Sequence, residues 1–229
     1  EGGQTQRPQH LREGSGEALG DAVMSCVTVP IEFRQVQAHF PILVHKNAES
    51  GAFHAVALFG FEAGENLFLS GGQWDALYRP LALSIQPFLI GRSAGGEGPG
   101  QVHIDMAHPR TGDDQGVRLF EDDGAMSPYL EDVADRLGKL DAGYRASDAF
   151  FAALRRLELL EPFTLEVELN DGAKRSLVGF HILNEDKVRA LDGATLGALH
   201  ADGHLMPMFM ALASLSHLSD LVARKNRRG

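Results

Sequence analysis

The chain has 229 residues, 44% of them hydrophobic, and a net charge of −10, which suits one sizeable core. Nucleic-acid binding needs clustered cations to displace counterions from a phosphate backbone, and so acidic a balance argues against it. Its single cysteine, Cys26, excludes an intrachain disulfide.

Residues 1–23, EGGQTQRPQHLREGSGEALGDAV, are rich in Gly, Gln and charge and predict a flexible N-terminal extension. Met24 then reads as a natural start, and residues 24–229 as a single domain. Cys26 lies in the apolar run CVTVP, where a small core residue is expected rather than a nucleophile. Two apolar runs, 42–44 and 53–61, flank the turn residues Asn47, Glu49, Ser50 and Gly51 and predict a hairpin. Trp74, Leu77, Tyr78 and Leu81 stand at helical spacing, so a short helix broken or offset by Pro80 is expected there. PFLIGRS and QVHIDMA read as two strands joined by AGGEGPG (residues 94–100), followed by a polar, acidic loop over 108–126.

The second half reads as mostly helical. Ser127-Pro128 opens a helix with the stripe Leu130, Val133, Ala134 and Leu137, which Gly138 and Gly143 weaken or interrupt. A second helix, capped by Ser147 or Asp148, turns Phe150, Phe151, Leu154 and Leu157 inward and ends at Pro162. Residues 163–183 are the clearest hairpin: Phe163, Leu165, Val167 and Leu169 alternate with polar residues before the turn Asn170-Asp171-Gly172. Asn184 and Thr195 can cap two short helices, Gly203 can end the second, and Pro207 starts a last helix through Leu221. The basic ARKNRRG at 223–229 reads as that helix's frayed, cationic end. No stretch reaches the roughly 18 continuous apolar residues of a membrane span. The class is α+β, with antiparallel hairpins in the N-terminal half and one more at 163–183, packed with helices from the C-terminal half.

HIDMAH, residues 103–108, opens one chemical possibility. A histidine and a carboxylate two apart on a strand share a face, and with a distal histidine they can form a facial triad for Fe(II). His103, Asp105 and His181 would be that set, with Arg189 as a basic partner for 2-oxoglutarate. Among ten histidines an H-x-D pair arises readily by chance. His200 and His204 are four apart but enclose Asp202-Gly203, which favours a helix end over two metal ligands. The acidic loops lack the spacing of a calcium loop, and no nucleophile elbow or phosphate loop is present. Met206, Met208, Phe209 and Met210 form a soft apolar stripe suited to core packing or to an adaptable contact surface. Trp74 and Tyr78 carry polar handles on apolar bodies, and with Glu65 and Asn66 they mark where a groove is expected.

Several segments together resemble the SapC family of bacterial proteins: HFPILVHKNAESGAFHAVALFGFEAGENLFL, QWDALYRP, QPFLIGR, HIDMAHPR, LFEDDGAMSPYL, AFFAALRRLELLEPFTLEVELNDG and LHADGHLMPMFMALASLSHLSDLV. Their order and spacing match over about residues 35–222. This SapC is neither the peptide-import permease of that name nor saposin C. The family takes its name from a surface-layer locus, so the resemblance implies an accessory role in surface-layer or envelope biogenesis, with no catalytic residues and no cofactor attached to it. The isoleucine-aspartate pair ending in Asp105 belongs to the family pattern, whereas a histidine at 103 does not. The expected function is a non-enzymatic protein that holds a protein or peptide partner, cytoplasmic or brought to the cell surface by a non-classical route, with Glu65, Asn66, Trp74, Tyr78, Asp105 and Arg110 as candidate binding residues. An iron oxygenase using His103, Asp105 and His181, and a small-ligand sensor or carrier, are the alternatives.

Overall fold

A computed structural model describes residues 10–91, 100–112 and 116–228. In chain order the strands are β1 (His10–Leu11), β2 (Ser25–Thr28), β3 (Ile42–Lys46), β4 (Phe53–Leu58), β5 (Leu69–Ser70), β6 (Gln73–Trp74), β7 (Phe88–Gly91), β8 (Gln101–Ile104), β9 (Val117–Arg118), β10 (Leu160–Glu168) and β11 (Lys174–Leu183). The helices are α1 (Phe33–Val36), α2 (Leu81–Ser84), α3 (Pro128–Arg156), α4 (Glu185–Arg189), α5 (Gly193–Ala201), α6 (Leu205–Ser214) and α7 (His217–Asn226). The fold is α+β, as its patterning predicts.

Strands from both halves of the sequence make one antiparallel five-stranded sheet in the order β10-β11-β3-β4-β2. The β3–β4 turn forms because Asn47 Oδ1 accepts from the amides of Glu49 and Ser50 at 2.9 and 2.8 Å, an Asx turn that reverses the chain. The β10–β11 turn needs Gly172, whose φ of 81° is costly for any residue with a Cβ. Pro162 sits inside β10 rather than ending a helix. β10 is an edge strand, where a missing donor is tolerated. Residues on both faces of the sheet and on the elements packed against it, among them Phe33, Phe40, Leu43, Ala57, Phe59 and Leu154, form the main core. A second cluster, Leu11, Ile85, Phe88, Leu119, Leu130, Val133 and Leu137, lies where α3 meets the small β7–β8 sheet.

Four expectations about whole segments are corrected. The two helices read across 127–161 are one 29-residue helix, α3. Gly143 does not break it: a Cβ there would lie 2.8 Å from Val29 Cγ2 and 3.0 Å from Ile31 Cδ1, so the glycine lets α3 sit close against residues 29–31. Ser147 is no cap either; its hydroxyl donates to the Gly143 carbonyl at 2.7 Å inside the helix. Residues 10–23 are not a flexible tail, since β1 pairs with β9 and Leu11 and Asp21 are buried; residues 1–9 lie outside the described residues. The helical spacing of Trp74, Leu77, Tyr78 and Leu81 is coincidental. Trp74 is in β6, Leu77 is 97% exposed, and only Leu81 is helical, because Pro80 holds an extended backbone ahead of α2.

The fourth correction concerns the last helix, which is two. α6 and α7 join at Leu215 and Ser216, and the stretch Leu205–Asn226 is long and apolar enough, by length and composition, to cross a membrane. Here Met208, Ala211, Ser214 and Leu221 from that stretch are buried. Ser214 Oγ accepts from the Ile42 amide at 2.9 Å and ties α6 to β3. The methionine stripe divides: Met208 is in the core, while Met206 and Phe209 are exposed. Asn184 caps α4 as expected, but the cap of α5 is Asp192, accepting from Thr195 N at 2.7 Å. The AGGEGPG connector, apart from Gly100, and the Asp113-Asp114 pair lie outside the described residues.

Candidate functional site

Two places gather the residues that could carry function. The first is a polar seam between the two hydrophobic clusters. Asp21 is fully buried. Its carboxylate accepts from Arg79 at 2.6 Å, from one Arg110 nitrogen at 2.9 Å to each oxygen, and from the Gly16 amide at 2.9 Å. Arg110, 6% exposed, also donates to the carbonyl of Gly14 at 3.0 Å. Arg79 reaches Ser15 Oγ at 2.7 Å and lies 5.6 Å from the centre of the Trp74 ring. Asn66 donates to the Asp21 carbonyl at 2.8 Å.

Across Arg79 the seam continues to a second buried carboxylate. Glu32 accepts from Thr28 Oγ1 at 2.8 Å, from Tyr78 Oη at 2.7 Å and from the Leu81 amide at 2.6 Å. Trp74 Nε1 donates to the Tyr78 carbonyl at 2.8 Å. Burial pushes the Tyr78 hydroxyl well above its ordinary value, and the hydrogen bond to Glu32 adds to it. Burial likewise raises the Cys26 thiol, with the nearby Glu32 charge reinforcing it. A thiol so disfavoured as thiolate is a poor nucleophile.

Four of the six candidate binding residues, Asn66, Trp74, Tyr78 and Arg110, therefore meet in one network, but as internal connectors, Asn66 and Arg110 buried and Trp74 and Tyr78 half-buried. Glu65 and Asp105 lie outside it. Glu65 accepts from the Phe61 amide at 2.9 Å and from Lys225 Nζ at 2.5 Å. Asp105 turns the chain after β8, its Oδ1 accepting from the Ala107 amide at 2.9 Å. The residues that organise the seam, Asp21, Glu32 and Arg79, carry no local motif. Asp21 binds residues 58 and 89 positions away, a relation that only the fold reveals.

The basic segment at 223–229 is not frayed over its described residues. Arg224 pairs with Asp75 at 2.6 Å and lies 4.2 Å from the Phe68 ring centre; Lys225 bridges Glu62 and Glu65; Arg228 donates to the Asn66 and Leu69 carbonyls. α7 is clamped onto the loop over 62–75.

The facial triad fails on placement. His103 and Asp105 belong to β8 and the turn after it, whereas His181 is on β11 of the other sheet, its ring 5.2 Å from that of Phe53. Among the described residues no three His, Cys, Asp or Glu side chains gather where they could hold a metal ion. His103 has another job: its ring covers Gly91, where a Cβ would come within 2.3 Å of Nε2. The ring packs across the strand pair over a residue with no side chain of its own. His200 lies in the last turn of α5, and His204, beyond Gly203 in the left-handed conformation, meets the Phe150 ring edge to face at 5.6 Å.

The second place is a cleft of about 330 Å³ beside β8, lined by Phe88, Val102, Ile104, Leu119, Phe120 and Met126 with α3 behind. Its lining is mostly apolar, and Val102 and Met126 remain 46% and 48% exposed. HIDMAH contributes Ile104, with Asp105 following it; the rest of the lining comes from Phe88, Val102 and the segment 119–134.

No curated protein and no solved structure matches the chain. A sequence model of the SapC family matches residues 7–221, nearly the whole chain and including the segment that carries Asp21. The chain belongs to the SapC family.

Proposed function

We propose that this SapC-family protein is a non-enzymatic accessory protein of bacterial surface-layer or envelope biogenesis, acting in the cytoplasm or at the cell surface by holding a protein or peptide partner. The observation that carries the reading is the apolar cleft beside β8, whose Val102 and Met126 stay exposed while the other candidate residues are committed to internal bonds. Exposed apolar side chains grouped in a concave lining are the usual mark of a recognition surface. A photoreactive benzoylphenylalanine in place of Val102, in cells making the protein, is expected to capture an envelope or surface-layer polypeptide. The same group in place of Tyr144, exposed on α3 outside the cleft lining, is the control. Equal capture at both positions, or none at Val102, refutes the reading.

The cleft's volume also favours a second reading, a carrier of a small apolar ligand, since it falls at the lower end of ligand-site volumes. A panel compound that raises the unfolding midpoint, and loses that effect on Val102→Asp, would support this reading instead.

A further inference from the structure

Building on the partner-holding reading, we infer that the cleft takes an extended, cation-flanked peptide as an added strand on the outer edge of β8. The hydrogen-bond pattern fixes which backbone groups face outward. β7 and β8 are antiparallel, with Leu89 opposite His103 and Ile90 opposite Val102. The Asp105 amide donates to the Pro87 carbonyl at 3.0 Å, so the pair 87/105 is of the hydrogen-bonded kind. Alternation then makes 89/103 and 91/101 hydrogen-bonded pairs and leaves 88/104 and 90/102 as the other kind. Phe88 agrees: its amide turns away from β8 to the Ile85 carbonyl at 2.8 Å. The amides and carbonyls of Val102 and Ile104 therefore point away from β7. Among the described residues β8 pairs with no other strand.

Those outward groups adjoin the apolar lining. A strand laid along them would satisfy its backbone on Val102 and Ile104 and turn alternate side chains toward Phe88, Leu119 and Phe120. The charge next to the lining selects the flanks. Asp105 follows Ile104, Glu121 follows Phe120, Asp123 lies in the same loop and Glu131 follows Leu130, all exposed. Among the described residues the nearby cations are already paired, Arg118 with Asp122 and Arg136 with Asp132. The local field is therefore negative, and it favours lysine or arginine at the peptide's ends over aspartate or glutamate.

The test uses the full chain and synthetic peptides of alternating valine and threonine ended by lysine pairs or by glutamate pairs. The lysine-ended peptide is expected to bind, more weakly as salt rises, and the glutamate-ended one to bind at least about tenfold more weakly. Val102→Pro removes an outward amide while sparing the β7–β8 bonds, so the unfolding midpoint is expected to hold and binding to fall about tenfold. N-methylating the peptide amides on alternate positions, in each register, gives the same information without altering the protein: one register abolishes binding and the other spares it. Glu121→Lys with Glu131→Lys is expected to reverse the preference of the peptide ends.

Binding indifferent to Val102→Pro and to N-methylation overturns strand addition. If capture at position 102 in cells nonetheless persists, the partner-holding reading stands without it. Binding of both peptides alike overturns the electrostatic selection. Concentration-dependent dimers lost in Val102→Pro would make the occupant a second copy of the chain and overturn the peptide. Uptake of an anilinonaphthalene sulfonate dye, with neither peptide bound, would do the same in favour of a small apolar ligand.

Discussion

Replacing Asp21 by asparagine keeps the shape of the side chain and removes its charge. Two guanidinium groups then face a neutral amide in a site where residue 21 has no exposed surface, Arg110 is 6% exposed and Arg79 keeps 21% of its side chain in contact with solvent. The Asn NH₂ also turns one of the two accepting oxygens into a donor, so it opposes Arg110 and either Arg79 or the Gly16 amide. Breaking a buried ion pair from one side costs about 3–5 kcal/mol, because the remaining charge stays desolvated. For a chain of this size each kcal/mol moves the thermal midpoint about 2–4 °C, so a fall of about 6–20 °C is expected. Urea unfolding at pH 7 measures it, with the midpoint falling and the slope unchanged. Arg110→Met in the Asp21→Asn background should recover part of the loss, giving a coupling of about 1 kcal/mol or more. Asp122→Asn, which unpairs Arg118 at the exposed surface, should leave the midpoint in place. A loss below about 1 kcal/mol for Asp21→Asn would show that the seam behaves as a surface ion pair and would refute its role as the join between the two clusters.

Gly143→Ala should destabilise by about 1–3 kcal/mol through its clash with Val29 and Ile31, whereas Gly138→Ala in the same helix meets nothing within 4 Å and should stabilise by up to about 1 kcal/mol; equal effects in urea melts would contradict the packing argument. Burial holds the imidazoles of His39, His54, His108 and His181 below their ordinary values, with His45 adding to the effect at His54. The unfolded chain binds those protons more readily, so stability is full above about pH 6.5 and falls as pH drops below it. His54→Gln should make that fall shallower, and a urea midpoint flat from pH 7 to 5 would count against the assignment. Cys26, its thiol raised by burial, should resist a disulfide reagent at pH 8 in the folded protein and react promptly in urea; prompt reaction in the native state would show the site to be open.

The parts legible in the sequence are those set by neighbours. The β3–β4 hairpin follows from two apolar runs around the turn at Asn47, and the β10–β11 hairpin from alternation of period two before Gly172, both local signals. Gly143 misleads because its low helix propensity is outweighed by a contact with residues more than a hundred positions away, and propensity is a weak prior against tertiary packing. Residues 10–23 mislead in the same way: a Gly-rich composition looks unfolded until Asp21 finds Arg79 and Arg110. Trp74 and Tyr78 stand out in the sequence as amphipathic residues, Asn66 through the segment GENLF and Arg110 through the family segment HIDMAHPR, and they do meet. Two acidic residues in undistinguished segments, Asp21 for Asn66 and Arg110 and Glu32 for Tyr78, make the meeting internal. The lining of the cleft beside β8 is ordinary core residues by type, so only topology, which leaves one strand edge uncovered among the described residues, sets it apart.

Asn66 is held from two directions. Its side chain reaches the carbonyl of residue 21, while its own carbonyl receives Arg228 at 2.9 Å, contacts spanning 45 and 162 positions. Such long closures cost loop entropy before they return any bond, and they slow folding relative to local pairing. During synthesis the β3–β4 hairpin can form as soon as residue 58 is free, but the second half of this latch cannot close before residue 228 has been made. Until then the 62–75 loop lacks the arginine clamp that holds it in the finished protein, and that interval is when the nascent chain is most open to proteases and to chaperones.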